Sequence, residues 1–214
     1  MEKYFPKDKI VITGNPVREL IIGMESSKAE GKRHFGLSNA KPVIFVTGGS
    51  LGAGAINNAI ANDIEKYIAC GYQLIWQTGA NYFEALQSLN QHSELRLMPF
   101  IKEMDKAYAA ADLIVSRAGG TISELCIVGK PCILLPSPNV TEDHQTHNAM
   151  NLVDKQAAIM VKDKDANDIL FTEVKRIIED EKLAQQLSEN IKKMAITNAA
   201  ERIAKEALAL VHKN

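Results

Sequence analysis

The sequence contains little of what marks a secreted or membrane-spanning protein. It has only three cysteines, Cys70, Cys126 and Cys132, an odd number without CxxC spacing, which argues against a disulfide framework or a zinc site and fits a reducing compartment. No apolar run approaches the roughly 18 residues of a membrane-spanning helix. The polar start MEKYFPKDK lacks a secretory apolar region. These absences favour a cytoplasmic protein.

An excess of charge of one sign is also lacking. Lysine and arginine total 25 against 26 aspartate and glutamate, so no basic surplus supports binding to a nucleic-acid backbone. Hydrophobic residues make up 46% of 214 residues, enough for the core of one large domain or one domain with an extension. The composition indicates a globular protein with no nucleic acid among its partners.

Short β-branched runs alternate with longer helical stretches along the chain. Buried strands are predicted at 43–47, 73–77, 95–98, 112–116, 132–135 and 158–161. Helical spacing is evident between them, for example over 53–69, and from Asp165 onward in three segments. Strands joined by helices form right-handed βαβ units. We therefore predict an α/β fold: a Rossmann-like, doubly wound parallel sheet of about six strands with helices on both faces.

Residues 1–40 are less regular than the rest. The segment 10–13 is a candidate strand, Asn15-Pro16 a turn, and 25–35 a polar surface helix. Such an opening is typical of a linker that enters a domain. At the other end, the amphipathic segment 199–211 either crosses onto another domain or caps this domain's own sheet.

A glycine-rich loop, Gly48-Gly49-Ser50-Leu51-Gly52, follows the first predicted strand. Ligands of parallel sheets bind at the carboxyl ends of strands, where glycines let the backbone approach a phosphate and a helix N-terminus offers N–H groups. Ser50 adds a hydroxyl donor. The loop is neither a Walker A motif nor the dinucleotide fingerprint, because it lacks their lysine and their glycine spacing. A tight turn without a ligand is the alternative.

A second junction, over 116–125, again places glycines before hydroxyl groups. Thr121 and Ser123 are suited to donate to a diphosphate on this helix N-terminus, and the Glu124 carboxylate is suited to accept two hydrogen bonds from a ribose diol. The alternative is a capping box, in which Thr121 is the N-cap and Glu124 satisfies only helix donors.

A third junction follows the fifth predicted strand. Gln145 and Asn148 are three residues apart and share a helix face, where their amides suit sugar hydroxyls. A solvated first turn is the alternative. The three loops all lie at carboxyl ends of strands in one sheet, and this agreement favours a ligand site over three unrelated turns.

Two patterns have the form of a metal site, but neither predicts one. His144 and His147 share a helix face without a third ligand nearby, which favours a surface pair. Asp163-x-Asp165 has DxD spacing, yet it lies in a charged stretch after the last strand and is interpreted as a solvated helix start. No metal is expected.

Five ordered motifs resemble the carboxyl-terminal half of the MurG family of peptidoglycan glycosyltransferases. They are Thr13-Gly14-Asn15-Pro16-Val17-Arg18, Gly48-Gly49-Ser50-x-Gly52-Ala53, Phe100-Ile101-x-x-Met104, Ser116-Arg117-Ala118-Gly119 with Ser123-Glu124, and Asp143-His144-Gln145-x-x-Asn148-Ala149. The resemblance extends from about Ile10 to the last helix. It implies a GT-B architecture of two Rossmann-like domains, with the donor bound in this C-terminal half and the acceptor and membrane contact in the N-terminal half.

The resemblance implies a UDP-GlcNAc-dependent hexosyltransferase of cell-wall synthesis, with roles in cell shape and division. The implied reaction is transfer of N-acetylglucosamine to a lipid-linked muramyl-pentapeptide (lipid I to lipid II), with inversion and without metal or cofactor. The implied location is the cytoplasmic face of the inner membrane, as a peripheral protein. The alternatives are another GT-B enzyme acting on UDP-GlcNAc, such as a 2-epimerase, and a non-catalytic nucleotide-binding module.

Matching positions assign a donor site from base to sugar. The assigned residues are Ile101 (through its backbone) and Met104 at the uracil, Glu124 at the ribose hydroxyls, Arg18, Ser50, Thr121 and Ser123 at the diphosphate, and Gln145 and Asn148 at the N-acetylglucosamine hydroxyls. Arg117 is expected to brace the loop or the phosphates.

The chain also departs from the family pattern. The loop 117–124 is one residue shorter, and Leu51 replaces the commoner glutamine. The N-terminal domain, with the histidine proposed as general base, is absent, so we expect the chain alone to bind donor without turnover. The implied organisation is a linker and domain entry at 1–40, a UDP-GlcNAc-binding domain at 41–195, and a C-terminal helix at 196–214 that packs on the missing domain.

Overall fold

The structure is a computed structural model that describes residues 5–211. Its centre is a six-stranded sheet in the order β3-β2-β1-β4-β5-β6, and every neighbouring pair is parallel. The strands are β1 (Val43–Thr47), β2 (Gln73–Gln77), β3 (Leu95–Met98), β4 (Leu113–Ser116), β5 (Cys132–Leu134) and β6 (Ile159–Met160). The predicted doubly wound parallel α/β sheet is confirmed. The candidate strand at 10–13 is wrong, because that segment has no regular structure.

Eleven α-helices are found within the described residues. They are α1 (Glu19–Ile22), α2 (Lys28–His34), α3 (Gly54–Asn62), α4 (Ile64–Ala69), α5 (Ala80–Leu86), α6 (Met104–Ala110), α7 (Thr121–Val128), α8 (His144–Val153), α9 (Ala166–Glu179), α10 (Glu181–Lys192) and α11 (Ala199–Val211). Short 3-10 helices cover Lys7–Lys9, Gln87–Gln91, Thr141–Asp143 and Asp163–Asp165. The single helix predicted over 53–69 is two helices, because the backbone leaves helical geometry at Asp63 (φ -107, ψ 11). No helix within 5–211 is long and apolar enough to cross a membrane.

The two faces of the sheet carry separate cores, because successive side chains of a strand point to opposite sides. Val43 and Phe45 of β1 belong to the core formed with α2, α6, α7 and α8. Ile44 and Val46 belong to the other core, which α3, α4 and α9 cover. All five residues of β1 are buried, as a central parallel strand between two helical layers requires.

The strand order reverses between β1 and β4. The chain proceeds from β1 outward to β3, then returns to place β4 on the other side of β1, where Thr47 pairs with Ser116. In doubly wound sheets the loops after two such strands diverge and leave a crevice at their carboxyl ends. The fold therefore positions the first two glycine loops on either side of one crevice.

The segments at the two ends of the chain differ in how they pack. Ile21 of α1 is buried in the core beside α7, and Val17 and Met24 pack against the same core. In α11 only Ala199 is buried, whereas Leu208 and Leu210 are 58% and 68% exposed, so this helix does not cap the sheet. Residues 1–4 of the predicted linker and 212–214 of the predicted final helix lie outside the described range. The division into three parts stays a prediction.

Candidate functional site

Two cavities lie at the carboxyl ends of β1 and β4. A larger one, of about 620 Å³, is lined by the glycine loop after β1, by the start of α7 and by Gln145 and Asp163. A smaller one, of about 150 Å³, is lined by Glu124, Phe100 and Ile101, among others. The cavities share Gly49, Ser50 and Thr121, so they form one continuous polar crevice.

The glycine loop after β1 packs directly against the loop after β2. Gly52 has φ +80, and a Cβ on it would lie 2.0 Å from the carbonyl oxygen of Thr78. Gly49, at φ +85, has nothing within 4 Å of its Cβ position. One glycine is therefore required by packing, whereas the other leaves its backbone open to the crevice, as close approach to a phosphate requires.

The buried side chain of Gln77 connects the end of β1 and two loops beneath the crevice. Its Nε2 donates to the Gly49 carbonyl at 2.9 Å and to Thr47 Oγ1 at 3.2 Å, while its Oε1 accepts from the Ile101 backbone N–H at 2.8 Å. The side chain is only 3% exposed. The backbone N–H of Ile101 is thus already bonded within the protein. A ligand contact through the Ile101 backbone therefore falls to its carbonyl group.

Glu124 lines the small cavity, and its carboxylate has partners on both oxygens. Arg18 donates to Oε1 through Nε (3.1 Å) and Nη2 (2.9 Å), and the buried Tyr108 hydroxyl donates to Oε2 at 2.8 Å. The N-cap of α7 is Gly120, without a side-chain cap hydrogen bond. The capping-box alternative is therefore wrong, and Glu124 faces the cavity instead.

Arg117 lines the large cavity, but its guanidinium is ion-paired and braces the loop rather than standing as a free cation. Its guanidinium pairs with both carboxylate oxygens of Asp163, one of them at 2.9 Å, and Nη1 also donates to the Leu135 carbonyl at 2.9 Å. Asp163 begins a 3-10 helix, as predicted, but it is not solvated, because its side chain is only 18% exposed and ion-paired. The prediction erred because Arg117 is distant from Asp163 in sequence.

The two amides of α8 brace neighbouring loops. Gln145 Oε1 accepts from the Ser137 N–H at 2.9 Å, and Asn148 Nδ2 donates to the Ala118 carbonyl at 3.1 Å. Glu142 and Asp143, with φ of 55 and 49, bend the chain sharply before α8. Left-handed backbone at non-glycine residues is uncommon and is concentrated at functional sites.

The structure brings most of the assigned residues together. The small cavity is lined by Arg18, Ser50, Ile101, Met104, Thr121 and Glu124. Gln145 lines the large cavity. Ser123 instead lines a separate cavity of about 140 Å³ with Gly14 and Asn15, so the structure does not bring it to the expected diphosphate position. Asn148 is exposed and bonds the loop after β4.

Sequence reasoning missed Gln77 and Tyr108, and it missed the role of Asp163, although all three organise this crevice. Each acts through a partner distant in sequence, and periodicity carries no information on such pairs. The one available signal was Gln77, an amide at the carboxyl end of a strand that is otherwise apolar. Its burial without a partner would have been costly.

The histidines of α8 are not part of a metal cluster. His144 is exposed, with Nδ1 2.9 Å from the Thr141 carbonyl oxygen. Across residues 5–211, no group of three or more histidine, cysteine, aspartate or glutamate side chains is placed to hold a metal ion.

Comparisons with known proteins agree on one family. The family described as "Glycosyltransferase family 28 C-terminal domain" matches residues 43–205. A relative from Parabacteroides distasonis is 50% identical over the whole chain and 59% of its own length, and one from Phocaeicola vulgatus is 47% identical over the whole chain and 58% of its own. Both are named UDP-N-acetylglucosamine–N-acetylmuramyl-(pentapeptide) pyrophosphoryl-undecaprenol N-acetylglucosamine transferase. The resemblance to MurG is confirmed.

Solved structures show the same fold. The crystal structure of Acinetobacter baumannii MurG has a TM-score of 0.72 at 26% identity, over 93% of this chain and 57% of that one. A UDP-GlcNAc 2-epimerase from Neisseria meningitidis, bound to UDP-GlcNAc, has a TM-score of 0.69 at 16% identity, over 97% of this chain and 57% of that one, a likeness of fold alone. The chain spans somewhat under three fifths of the length of the curated relatives it matches.

Proposed function

This chain belongs to the glycosyltransferase family 28 C-terminal domains, and we propose that it is the UDP-GlcNAc-binding half of a peptidoglycan glycosyltransferase. The whole protein would transfer N-acetylglucosamine to a lipid-linked muramyl-pentapeptide. The names of the relatives at 46–50% identity support this activity over that of a 2-epimerase. Work at the cytoplasmic face of the inner membrane, as a peripheral protein, is part of the same proposal.

The observation that carries the proposal is the set of chemical groups that line the two joined cavities. In the small cavity Ile101 and Met104 offer apolar surface for a base, and the Glu124 carboxylate of the same cavity suits a ribose diol. Ser50 and Thr121 stand at the junction of the two cavities, where a diphosphate would lie. Gln145 lines the large cavity, which has room for a sugar. Base, ribose, diphosphate and sugar thus each have a chemically complementary group in the crevice.

Two helix N-termini provide the charge stabilisation that the transfer needs. As the acceptor hydroxyl attacks C1 of the sugar, negative charge develops on the departing UDP. The N-termini of α3 and α7 both open onto the large cavity, and their backbone N–H groups favour that charge. Arg18, half exposed beside Glu124, adds a cation within reach. No metal is needed for this role.

A base for the acceptor hydroxyl is a separate requirement. We propose that it belongs to the remaining part of the whole protein, together with the site for the lipid-linked acceptor. The isolated chain should therefore bind donor weakly and not turn over. Transfer of N-acetylglucosamine to a lipid-linked acceptor by this chain alone would contradict that part of the proposal.

Calorimetric titration with UDP-GlcNAc, UDP, ADP and NAD tests the donor site. We expect binding of the uridine nucleotides only, and its loss in Glu124→Ala. Glu181→Ala is the matched control, because Glu181 is an exposed glutamate at the start of α10 and lines a different cavity, with Pro42 and Asp112. Selective binding of ADP or NAD, or equal effects of the two variants, would overturn the assignment.

A further inference from the structure

We propose that Gln77 is a positioning residue that sets the spacing between the base-binding and phosphate-binding parts of the donor site. The inference rests on the proposed function, since it assumes that a uridine diphosphate occupies the crevice. It concerns a residue that does not belong to the five sequence motifs and that acts through the loops it holds.

Gln77 is the only side chain described here that bonds both loops at once. One end of its amide holds the carbonyl of Gly49, in the loop assigned to the diphosphate, at 2.9 Å. The other end holds the N–H of Ile101, in the loop assigned to the uracil, at 2.8 Å. Gly49 and Ile101 both line the small cavity, and Gln77 forms part of its wall. This amide therefore ties together the two loops that line the small cavity.

The bonding pattern allows only one orientation of the amide. The NH₂ group faces two acceptors, Gly49 O and Thr47 Oγ1, and the carbonyl oxygen faces a donor, Ile101 N–H. A flipped amide would oppose oxygen to oxygen and N–H to N–H. Because the group is buried, each of these bonds is costly to lose, and the loops are held at a fixed separation.

A diphosphate and its base are joined covalently, so both must fit their loops at the same time. Loops held at the correct separation bind such a ligand without a further ordering cost. Without Gln77 each loop keeps its own residues, but the direct bond between the two loops is lost and their separation is held less firmly. UDP, which spans both loops, should then lose affinity, whereas the fold itself is retained by the two cores.

The strand β2 supplies a matched control at its other end. Gln73 is also 3% exposed, and its amide also makes three bonds: it donates to the carbonyls of Ser38 (2.9 Å) and Lys41 (3.3 Å) and accepts from the Ser38 N–H (2.7 Å). It lies at the amino end of β2, away from the crevice. Gln73→Met thus removes a similar buried amide without touching the site.

The experiment measures UDP affinity by calorimetry for the unchanged 214-residue chain and for Gln77→Met, Gln77→Glu and Gln73→Met, with urea unfolding of each. We expect Gln77→Met to weaken UDP binding by about tenfold or more, and Gln73→Met to change it by less than about twofold at a similar loss of stability. Equal changes in affinity for the two methionine variants, or no change in either, would overturn the inference.

Gln77→Glu adds a pH readout that a purely structural role would not produce. Its ionised carboxylate opposes an oxygen to the Gly49 carbonyl, whereas its protonated form donates an O–H there and still accepts from Ile101. Burial raises the pKa of a glutamate, so affinity relative to the unchanged chain should recover as the pH falls from about 8 to 5.5.

Gln77→Met has no such group, and its relative affinity should stay flat over the same range. A flat profile for Gln77→Glu would overturn the inference, and this test remains decisive if Gln77→Met fails to fold. Failure of the unchanged chain to bind UDP is a different result: it would overturn the proposed function and this inference with it.

Discussion

The buried hydroxyl of Tyr108 donates a 2.8 Å hydrogen bond to Oε2 of Glu124. Burial, followed by the nearby charge of Glu124, raises the pKa of Tyr108 well above its ordinary value. The hydroxyl therefore stays protonated and remains a donor throughout the physiological range. It holds one oxygen of the carboxylate that we assign to the ribose, and Arg18 holds the other.

Tyr108→Phe should destabilise the chain by about 1–2 kcal/mol, because it removes a buried hydrogen bond to a charged group. The ring should keep its edge-to-face contact with Phe45, at 5.4 Å between centroids. With its carboxylate less firmly oriented, the chain should also bind UDP several-fold more weakly. Urea unfolding and calorimetry measure the two effects, and an unchanged UDP affinity would separate Tyr108 from ribose binding.

Tyr67→Phe should have the opposite sign. Tyr67 is equally buried and packs edge-to-face on Phe171 at 5.0 Å. Among the described residues, however, its hydroxyl is the one buried side-chain polar atom without a hydrogen-bond partner. Removing an unsatisfied buried hydroxyl should stabilise the chain by about 1 kcal/mol. A loss of stability in urea unfolding would show that this hydroxyl is bonded in solution.

Gly52→Ala should destabilise the chain by about 3 kcal/mol or more and abolish nucleotide binding. Its methyl group would lie 2.0 Å from the Thr78 carbonyl oxygen, so the loops after β1 and β2 must separate. Gly71→Ala is the control, since Gly71 also has positive φ (+76) but nothing within 4 Å of its Cβ position. That variant should lose only about 1 kcal/mol and bind normally. Similar melting temperatures for the two would refute the packing argument.

The Arg117–Asp163 pair should show measurable coupling. The two side chains are only 15% and 18% exposed, so a double-mutant cycle with Arg117→Ala and Asp163→Ala should give a coupling of about 1–3 kcal/mol in unfolding. The control is the Lys175–Glu179 pair, at 46% and 58% exposure, for which no measurable coupling is expected. Equal coupling in the two pairs would mean that Arg117 is not a brace.

Only one of the three thiols should react quickly in the folded chain. Cys70 is exposed, whereas Cys126 and Cys132 are buried, and burial raises the pKa of Cys126 to about 11 and that of Cys132 as well. A chromogenic disulfide reagent at pH 8 should therefore detect one thiol in native buffer and three in denaturant. Rapid native reaction of two or more would contradict the burial of Cys126 and Cys132.

The same pKa shift makes stability depend on alkaline pH. The unfolded Cys126 thiol loses its proton near pH 8.5, whereas the folded one retains it up to about pH 11. Its contribution is complete below the unfolded value and is lost as the pH rises through this window. The urea concentration at the unfolding midpoint should therefore decrease as the pH rises from about 8.5 to about 11. The decrease should be smaller in a Cys126→Ala variant.

The fold could be predicted from the sequence because its signals are local. Each strand is a short apolar run, and glycine loops mark the carboxyl ends of β1 and β4. Six strands and their order along the chain were therefore evident. The break at Asp63 was not, because Ile60 and Ile64 keep helical spacing across it. Periodicity reports which face is buried, and it does not register a local change in ψ.

The site was predictable only in part, for a related reason. The resemblance placed Glu124 and Ser50, and the structure brings both to the small cavity. It also placed Ser123 at the diphosphate, yet Ser123 lines the other cavity, the one with Gly14 and Asn15. The N-cap of α7 is Gly120 rather than Thr121. Which face a helical side chain occupies depends on where the helix begins, and capping from sequence alone is uncertain by a residue or two.

The reversal of strand order at β1 and β4 has a consequence for how the chain acquires its structure. Ile44 pairs with Leu113 across that junction, so the two strands that flank the crevice come from separate halves of the chain. Such a long-range closure is entropically expensive and slow compared with pairing inside either half. Recovery of nucleotide binding during refolding should therefore follow helix formation with a distinct delay. Bound nucleotide would then report the joining of the halves.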